Sequence, residues 1–215
     1  EPINFSVPTG NFGDVYAGYL AKKIGLPINK FVVATNQNDI LHRAITIGEY
    51  NVENVLETIS PSMDIQIASN FERLIFDLNN CSDKKTIDVM KSIKEKGKYE
   101  IQKEFLDKIN IDFLSSRMDE NEILNTIKSV YEKFDTILDP HSAIGYGAFD
   151  KVNLKGNNIV LATAHPCKFP VAIEKAINVK AELPDELAFI LDEKENYDTI
   201  DNNLNKIKQH IRERI

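Results

Sequence analysis

The hexapeptide Thr9-Gly10-Asn11-Phe12-Gly13-Asp14 follows a short apolar run, Ile3 to Pro8, and opens a helical pattern. Two glycines three residues apart at a strand–helix junction let backbone N–H groups converge on one point. The helix N-terminus adds its dipole to those donors. The combination is an anion cradle, and its commonest guest is a phosphate. Three such loops can be told apart. A Walker loop needs Gly-Lys-Ser/Thr at the helix start, whereas here Gly13 is followed by Asp14 and Val15. A dinucleotide fingerprint needs GxGxxG and an acid about 20 residues on. The glycines here fall at 10, 13 and 18, and Asp39 lies too far along. A single phosphomonoester fits better, because one dianion needs only a few N–H donors and no lysine.

Hydrophobic periodicity places the elements that must hold this loop. Residues 3–7 alternate as a strand, and Ala17, Leu20, Ala21 and Ile24 share one face of a helix over 14–24. Gly25 is a C′ residue for that helix. Phe31-Val32-Val33-Ala34 reads as a buried parallel strand. Strand, helix and strand make a βαβ unit with a right-handed crossover. Asn38 and Asp39 sit at an N-cap before a short helix over 40–45. Residues 51–70 are irregular, and Phe71, Leu74, Ile75 and Leu78 mark one more helix. Asp139-Pro140-His141-Ser142, with Gly145 and Gly147 behind it, reads as turn chemistry. Asn158 to Thr163 reads as a second buried strand, and Pro170 to Val179 as a helix.

These patterns predict an α/β fold: part of a twisted parallel sheet with flanking helices, plus a mostly helical insertion. The expected divisions are 1–80, the insertion at 81–134, a return to the first domain over 135–182, and a polar linker with a short helix over 183–215.

Composition excludes several functions. The net charge is −7, and Glu174 to Asp201 carries nine acidic residues against three lysines. A nucleic-acid backbone needs a basic face, so it is not the expected partner. No apolar run approaches the ~18–20 residues that cross a bilayer, and no signal-peptide pattern opens the chain. Cys81 and Cys167 form no CxxC pair, so neither a metal site nor a disulfide framework is expected, and a reducing cytoplasm fits. The chain opens Glu1-Pro2 without an initiator Met and reads as a piece of a longer protein or a processed product.

Five segments in series then carry a resemblance. They are Val7-Pro8 with Thr9 to Asp14; Ala34-Thr35-Asn36 with Asn38-Asp39; Ser62-Met63-Asp64-Ile65 with Ser69 to Arg73; Asp139 to Gly145; and Thr163-Ala164-His165-Pro166-Cys167-Lys168-Phe169-Pro170. In this order the set resembles threonine synthase, of the branch found in many bacteria and fungi. Pyridoxal 5'-phosphate enzymes of the tryptophan-synthase-β fold type hold their cofactor on such a loop. The resemblance implies conversion of O-phospho-L-homoserine and water to L-threonine and phosphate.

By that resemblance Gly10, Asn11, Phe12 and Asp14 contact the cofactor phosphate, mainly through backbone N–H groups. The Asp14 carboxylate is expected to point away and cap its own helix. Thr163 is implied as the hydroxyl facing the pyridine nitrogen. Arg73, with Asn70 and Ser69, is a candidate for holding a substrate anion, and Asp64 is a cleft candidate without a role. His141 and His165, each beside a proline, are expected to make structural hydrogen bonds. The family's Schiff-base lysine sits in a Ser-Phe-Lys-Asp-like motif that these residues lack, so no catalytic residue is assigned here. The fragment is expected to be inactive alone, and Lys168 is not that lysine. Two other readings stay open: another lyase or dehydratase of the same fold type, and a threonine-synthase-like binding protein without catalysis.

Overall fold

The computed structural model describes residues 2–215. Its backbone divides into two compact units, residues 1–182 and Leu183–Ile215. The first unit is built on a four-stranded, wholly parallel sheet. Strands β1 (Ile3–Pro8), β2 (Ile28–Thr35), β5 (Phe113–Arg117) and β6 (Asn157–Val160) lie in the order β5-β2-β1-β6. A short antiparallel pair, β3 (Glu49–Asn51) and β4 (Lys98–Glu100), stands apart from it.

Strand β2 shows why the sheet is buried on both faces. Phe31 and Val33 point into one core and Val32 and Ala34 into the other, as period-2 alternation requires. The first core packs under α1 (Gly13–Lys23), α2 (Ile40–Thr46), α3 (Phe71–Leu78), α4 (Asp83–Lys96) and α5 (Lys103–Asp112). Phe12, Phe31, Phe71 and Phe113 form its aromatic centre, with the Phe12 ring edge-on to Phe71 at 5.2 Å. The second core packs under α6 (Glu120–Phe134), α7 (Pro140–Val152) and α8 (Pro170–Ile177). The second unit holds a 3-10 segment, Asp185–Leu191, and α9 (Leu204–Arg212). No helix among the described residues is long and apolar enough to cross a membrane.

Three sequence expectations need correction. Residues 81–134 are not a separate helical insertion: they supply β5, which pairs with β2 at one edge of the main sheet. The five residues Phe113-Leu114-Ser115-Ser116-Arg117 are too short and too polar to stand out between charged helices. Asp139 to Gly147 is not a turn. It is the cap and first half of the 13-residue α7, with Pro140 at a first-turn position where its missing N–H costs nothing. Gly145 and Gly147 serve close packing there. A Cβ on Gly145 would lie 3.0 Å from both Pro8 Cδ and Val160 Cγ1. Finally, β6 is an exposed edge strand and ends at Val160, so Thr163 lies beyond it and is itself exposed.

Candidate functional site

Chain order decides where a ligand can sit. From β1 the chain crosses to β2 over one face of the sheet, through α1. It later returns to β6, on the other side of β1, through α6 and α7 on the opposite face. The order therefore reverses between β1 and β6, and a crevice opens at their carboxyl ends, the usual ligand position in open α/β sheets. A cavity of about 280 Å³ lies there. Gly10, Asn11 and Asp14 line it, and so do Thr163, His141, Lys168 and Phe169. The glycine loop and Thr163, more than 150 residues apart in sequence, thus face one space.

The loop is held from three directions. Thr9 N donates to Ala34 O, which continues the β1–β2 ladder by one residue. The Thr9 hydroxyl accepts from Phe12 N at 2.9 Å. Phe12 takes a left-handed φ of 66° as the residue before α1, and its ring is wholly buried. Its side chain therefore anchors the loop in the core, and Phe12 is not among the residues that line the cavity. The amides of Gly13 and Asp14 have no hydrogen-bond partner among the described residues, as the first turn of a helix dictates. Asp14 does not cap α1, which has no side-chain cap bond. The Thr9 hydroxyl takes that place by folding back onto the loop.

Asn11 turns outward. Its Oδ1 accepts from Ser69 N at 2.5 Å and Ser69 Oγ at 2.8 Å, and its carbonyl accepts from Asn70 N. The loop is thereby tied to the start of α3. Asn11→Ala removes both side-chain bonds at an exposed position, and is expected to cost about 1 kcal/mol. Hydrogen exchange at Ser69 should quicken while global stability changes little.

The floor beside Gly10 is the 3-10 turn Pro61–Met63, and a buried network fixes it. Asp64 Oδ1 accepts from Asn36 Nδ2 (2.8 Å), Asn38 Nδ2 (3.0 Å) and Thr58 Oγ1 (2.6 Å), and Oδ2 accepts from Thr58 N. Asp64 is fully engaged and does not line the cavity. Asp39, expected as an N-cap, makes no cap bond. It bridges Arg43 and Arg117, each at 2.8 Å, and so ties α2 to β5. Burial alone would raise the Asp39 carboxyl, but the two guanidinium hydrogen bonds outweigh it and the pKa lies below the ordinary value.

Across the cavity, Asp139 organises the start of α7. Its Oδ1 accepts from His141 N (2.8 Å), Ser142 N (3.3 Å) and His141 Nδ1 (3.1 Å), and its Oδ2 accepts from the Ser142 hydroxyl. Burial pushes this carboxyl up, but the hydrogen bonds from His141 and Ser142 prevail and hold it below the usual range. An ionised carboxylate only accepts, so Nδ1 of His141 carries a proton. The imidazole packs against Phe169, 4.8 Å between ring centres, and its Nε2 is buried with no partner among the described residues. His165 is structural: its Nδ1 accepts from Cys167 N. Arg73 lines a neighbouring cavity with Ser69, Glu72 and Phe76, and this shares Asn70 with the first. The described residues hold no cluster of three or more His, Cys, Asp or Glu fit for a metal.

A family model described as "Threonine synthase, C-terminal" matches residues 142–211. Threonine synthase of Pseudomonas aeruginosa is 40% identical over 97% of this chain and 45% of its own length. That of Saccharomyces cerevisiae is also 40% identical, over 87% of this chain. The X-ray structure titled as PLP-bound threonine synthase from Brucella melitensis is 41% identical, with a TM-score of 0.91 over 99% of this chain and 46% of that one. Over nearly its whole length the chain matches part of these threonine synthases. The yeast threonine synthase structure gives a TM-score of 0.86 at 37% identity.

The chain spans about half the length of the curated threonine synthases it matches. The cavity wall also includes Pro8, Ser62, Met63, His141 and Lys168, to which sequence reasoning gave no ligand role. Met63 and Ser62 sit in a segment with no periodic pattern, and only the tertiary approach to Gly10 reveals them. His141 reads as a residue in a proline turn, and it takes the unseen helix α7 to aim it at this crevice.

Proposed function

We propose that this chain is the part of a threonine synthase that holds the phosphate end of pyridoxal phosphate. The whole enzyme converts O-phospho-L-homoserine and water to L-threonine and phosphate. The observation that carries this reading is the convergence of the Gly10–Asp14 loop and Thr163 on one cavity at the switch point of the sheet.

The residues present fit the cofactor. Gly10 lets the loop pack directly on the 3-10 turn, since a Cβ there would lie 2.9 Å from Met63 Cα. The free amides of Gly13 and Asp14 and the α1 dipole suit a phosphate dianion. Lys168 adds a cation to the same wall. The Thr163 hydroxyl has no partner among the described residues and is available to a ring nitrogen. A hydroxyl there leaves that nitrogen largely unprotonated. Asn11 and Phe12 hold the loop from outside and from the core.

When bound, pyridoxal phosphate supplies an electron sink for charge that develops on the substrate carbons. The chain's own residues bind the phosphate, orient the ring through Thr163, and close one side of the cavity with Phe169 and His141. The Schiff-base lysine is assigned to residues outside this chain, and Lys168 is not given that role. The free thiols Cys81 and Cys167 support a reducing compartment, the cytoplasm.

The test uses the full-length protein. It should carry the visible absorption of bound pyridoxal phosphate and release inorganic phosphate from O-phospho-L-homoserine. Absence of the bound chromophore would refute the cofactor assignment. A bound chromophore without phosphate release would point instead to a different lyase or to a binding protein.

A further inference from the structure

Thr163 lies beyond the last strand pairing. The β6 ladder ends at Val160, and the last bond of that segment to the sheet is Leu161 N to Ser6 O. Beyond it the only hydrogen bond to Thr163 among the described residues is its own N–H, donated to Ser142 Oγ at 3.2 Å. Ser142 is 2% exposed and sits in the first turn of α7. Its single hydroxyl proton is committed to Asp139 Oδ2. A hydroxyl has one proton and two lone pairs, so a serine donating to Asp139 must accept from Thr163. The backbone N–H of Thr163 can only donate and the ionised Asp139 can only accept, so the one serine hydroxyl bridges the two.

Two more contacts make the arrangement rigid. Ser6 Oγ donates to Gly145 O at 2.6 Å, which pins α7 to β1. Gly145 lets the helix come that close, since its missing Cβ would press on Pro8 and Val160. Pro8 itself begins the glycine loop and lines the cavity. The two halves of the cavity wall are thus registered to each other through α7.

We propose that Ser142 and Asp139 are positioning residues: they hold the Thr163 backbone, through one serine hydroxyl, where its side chain meets the ring of the bound ligand. This rests on the reading that Thr163 contacts pyridoxal phosphate. The proposal assigns the geometry of Thr163 to helix α7 and not to the sheet.

The experiment is a double-mutant cycle on the full-length protein, with pyridoxal phosphate affinity as the readout. Ser142→Ala should weaken binding about tenfold, the size of one lost hydrogen bond, and Thr163→Ala should weaken it comparably. If Ser142 acts through Thr163, the double variant binds no worse than the weaker single variant, within about twofold. Ser142→Thr, which keeps the hydroxyl, should restore binding. A general weakening of the cavity would instead make the two losses multiply, and that outcome overturns the proposal. Hydrogen exchange at the Thr163 amide, measured without ligand, separates this from the cofactor reading. Faster exchange in Ser142→Ala supports the tether even in a protein that binds no pyridoxal phosphate. Unchanged exchange refutes the tether whatever the ligand.

Discussion

Gly10→Ala is expected to lower pyridoxal phosphate affinity about fivefold to a hundredfold, the range set by ~1–3 kcal/mol of overpacking. The cause is steric and not conformational, because Gly10 does not use a left-handed φ. The added Cβ would lie 2.9 Å from Met63 Cα and 3.1 Å from Ile65 Cγ1. The side chain of Ile65 can swing aside, but the backbone of Met63 cannot. Met63 closes the 3-10 turn that precedes Asp64, and Asp64 is locked by Asn36, Asn38 and Thr58. Asn36 also donates to Ser60 Oγ at 2.9 Å, inside the same network. The strain must therefore move the glycine loop, whose free amides form the cradle. Fluorescence titration of the full-length protein measures the effect. Wild-type affinity in a stably folded Gly10→Ala protein would place the phosphate elsewhere.

The same residues show what a sequence makes legible. The Gly10–Asp14 loop, β1, α1, β2 and α3 follow from local patterns, because each element declares its period within about ten residues. The expectation of an anion cradle needs only the loop's position between strand and helix. Segment β5 does not declare itself: it is five residues long, with two serines, and becomes a strand because β2 offers an unpaired edge. Helix α7 is hidden for the opposite reason. Gly145 and Gly147 are poor helix interior residues by propensity, and the tertiary need for close approach to Pro8 and Met118 overrides that preference. With α7 unseen, His141 and Ser142 cannot be aimed at the cavity. The resemblance to a family singles out Thr163 as a proposed contact, but the hydrogen bond its N–H makes runs to a helix that no local pattern announces.

The Asp139→Ala variant is expected to lose about 3–5 kcal/mol of stability, the cost of breaking one partner of a buried charged network. Asp139 is 1% exposed and accepts four hydrogen bonds. Two of them cap α7, a contribution of about 1 kcal/mol. The others leave the His141 Nδ1–H and the Ser142 hydroxyl without partners, each costing about 1–3 kcal/mol when buried. For a unit of this size the melting temperature should fall by roughly 10 °C. Asp139→Asn keeps a capping oxygen but replaces the oxygen that accepts from the Ser142 hydroxyl with an amide donor, so its loss should be smaller than that of Asp139→Ala. The two variants together isolate the charge through pH. The folded Asp139 pKa lies below the ordinary carboxyl value, so its ionisation stabilises the fold above about pH 4. That contribution is lost as the pH falls through the folded value. The gap between wild type and Asp139→Asn should therefore be constant near neutrality and shrink below about pH 4, where the carboxyl becomes protonated. A gap that stays constant into acid would mean the carboxylate is not the charged centre of this network. It would also remove the reason why the Ser142 proton faces Asp139 and leaves its lone pair to Thr163.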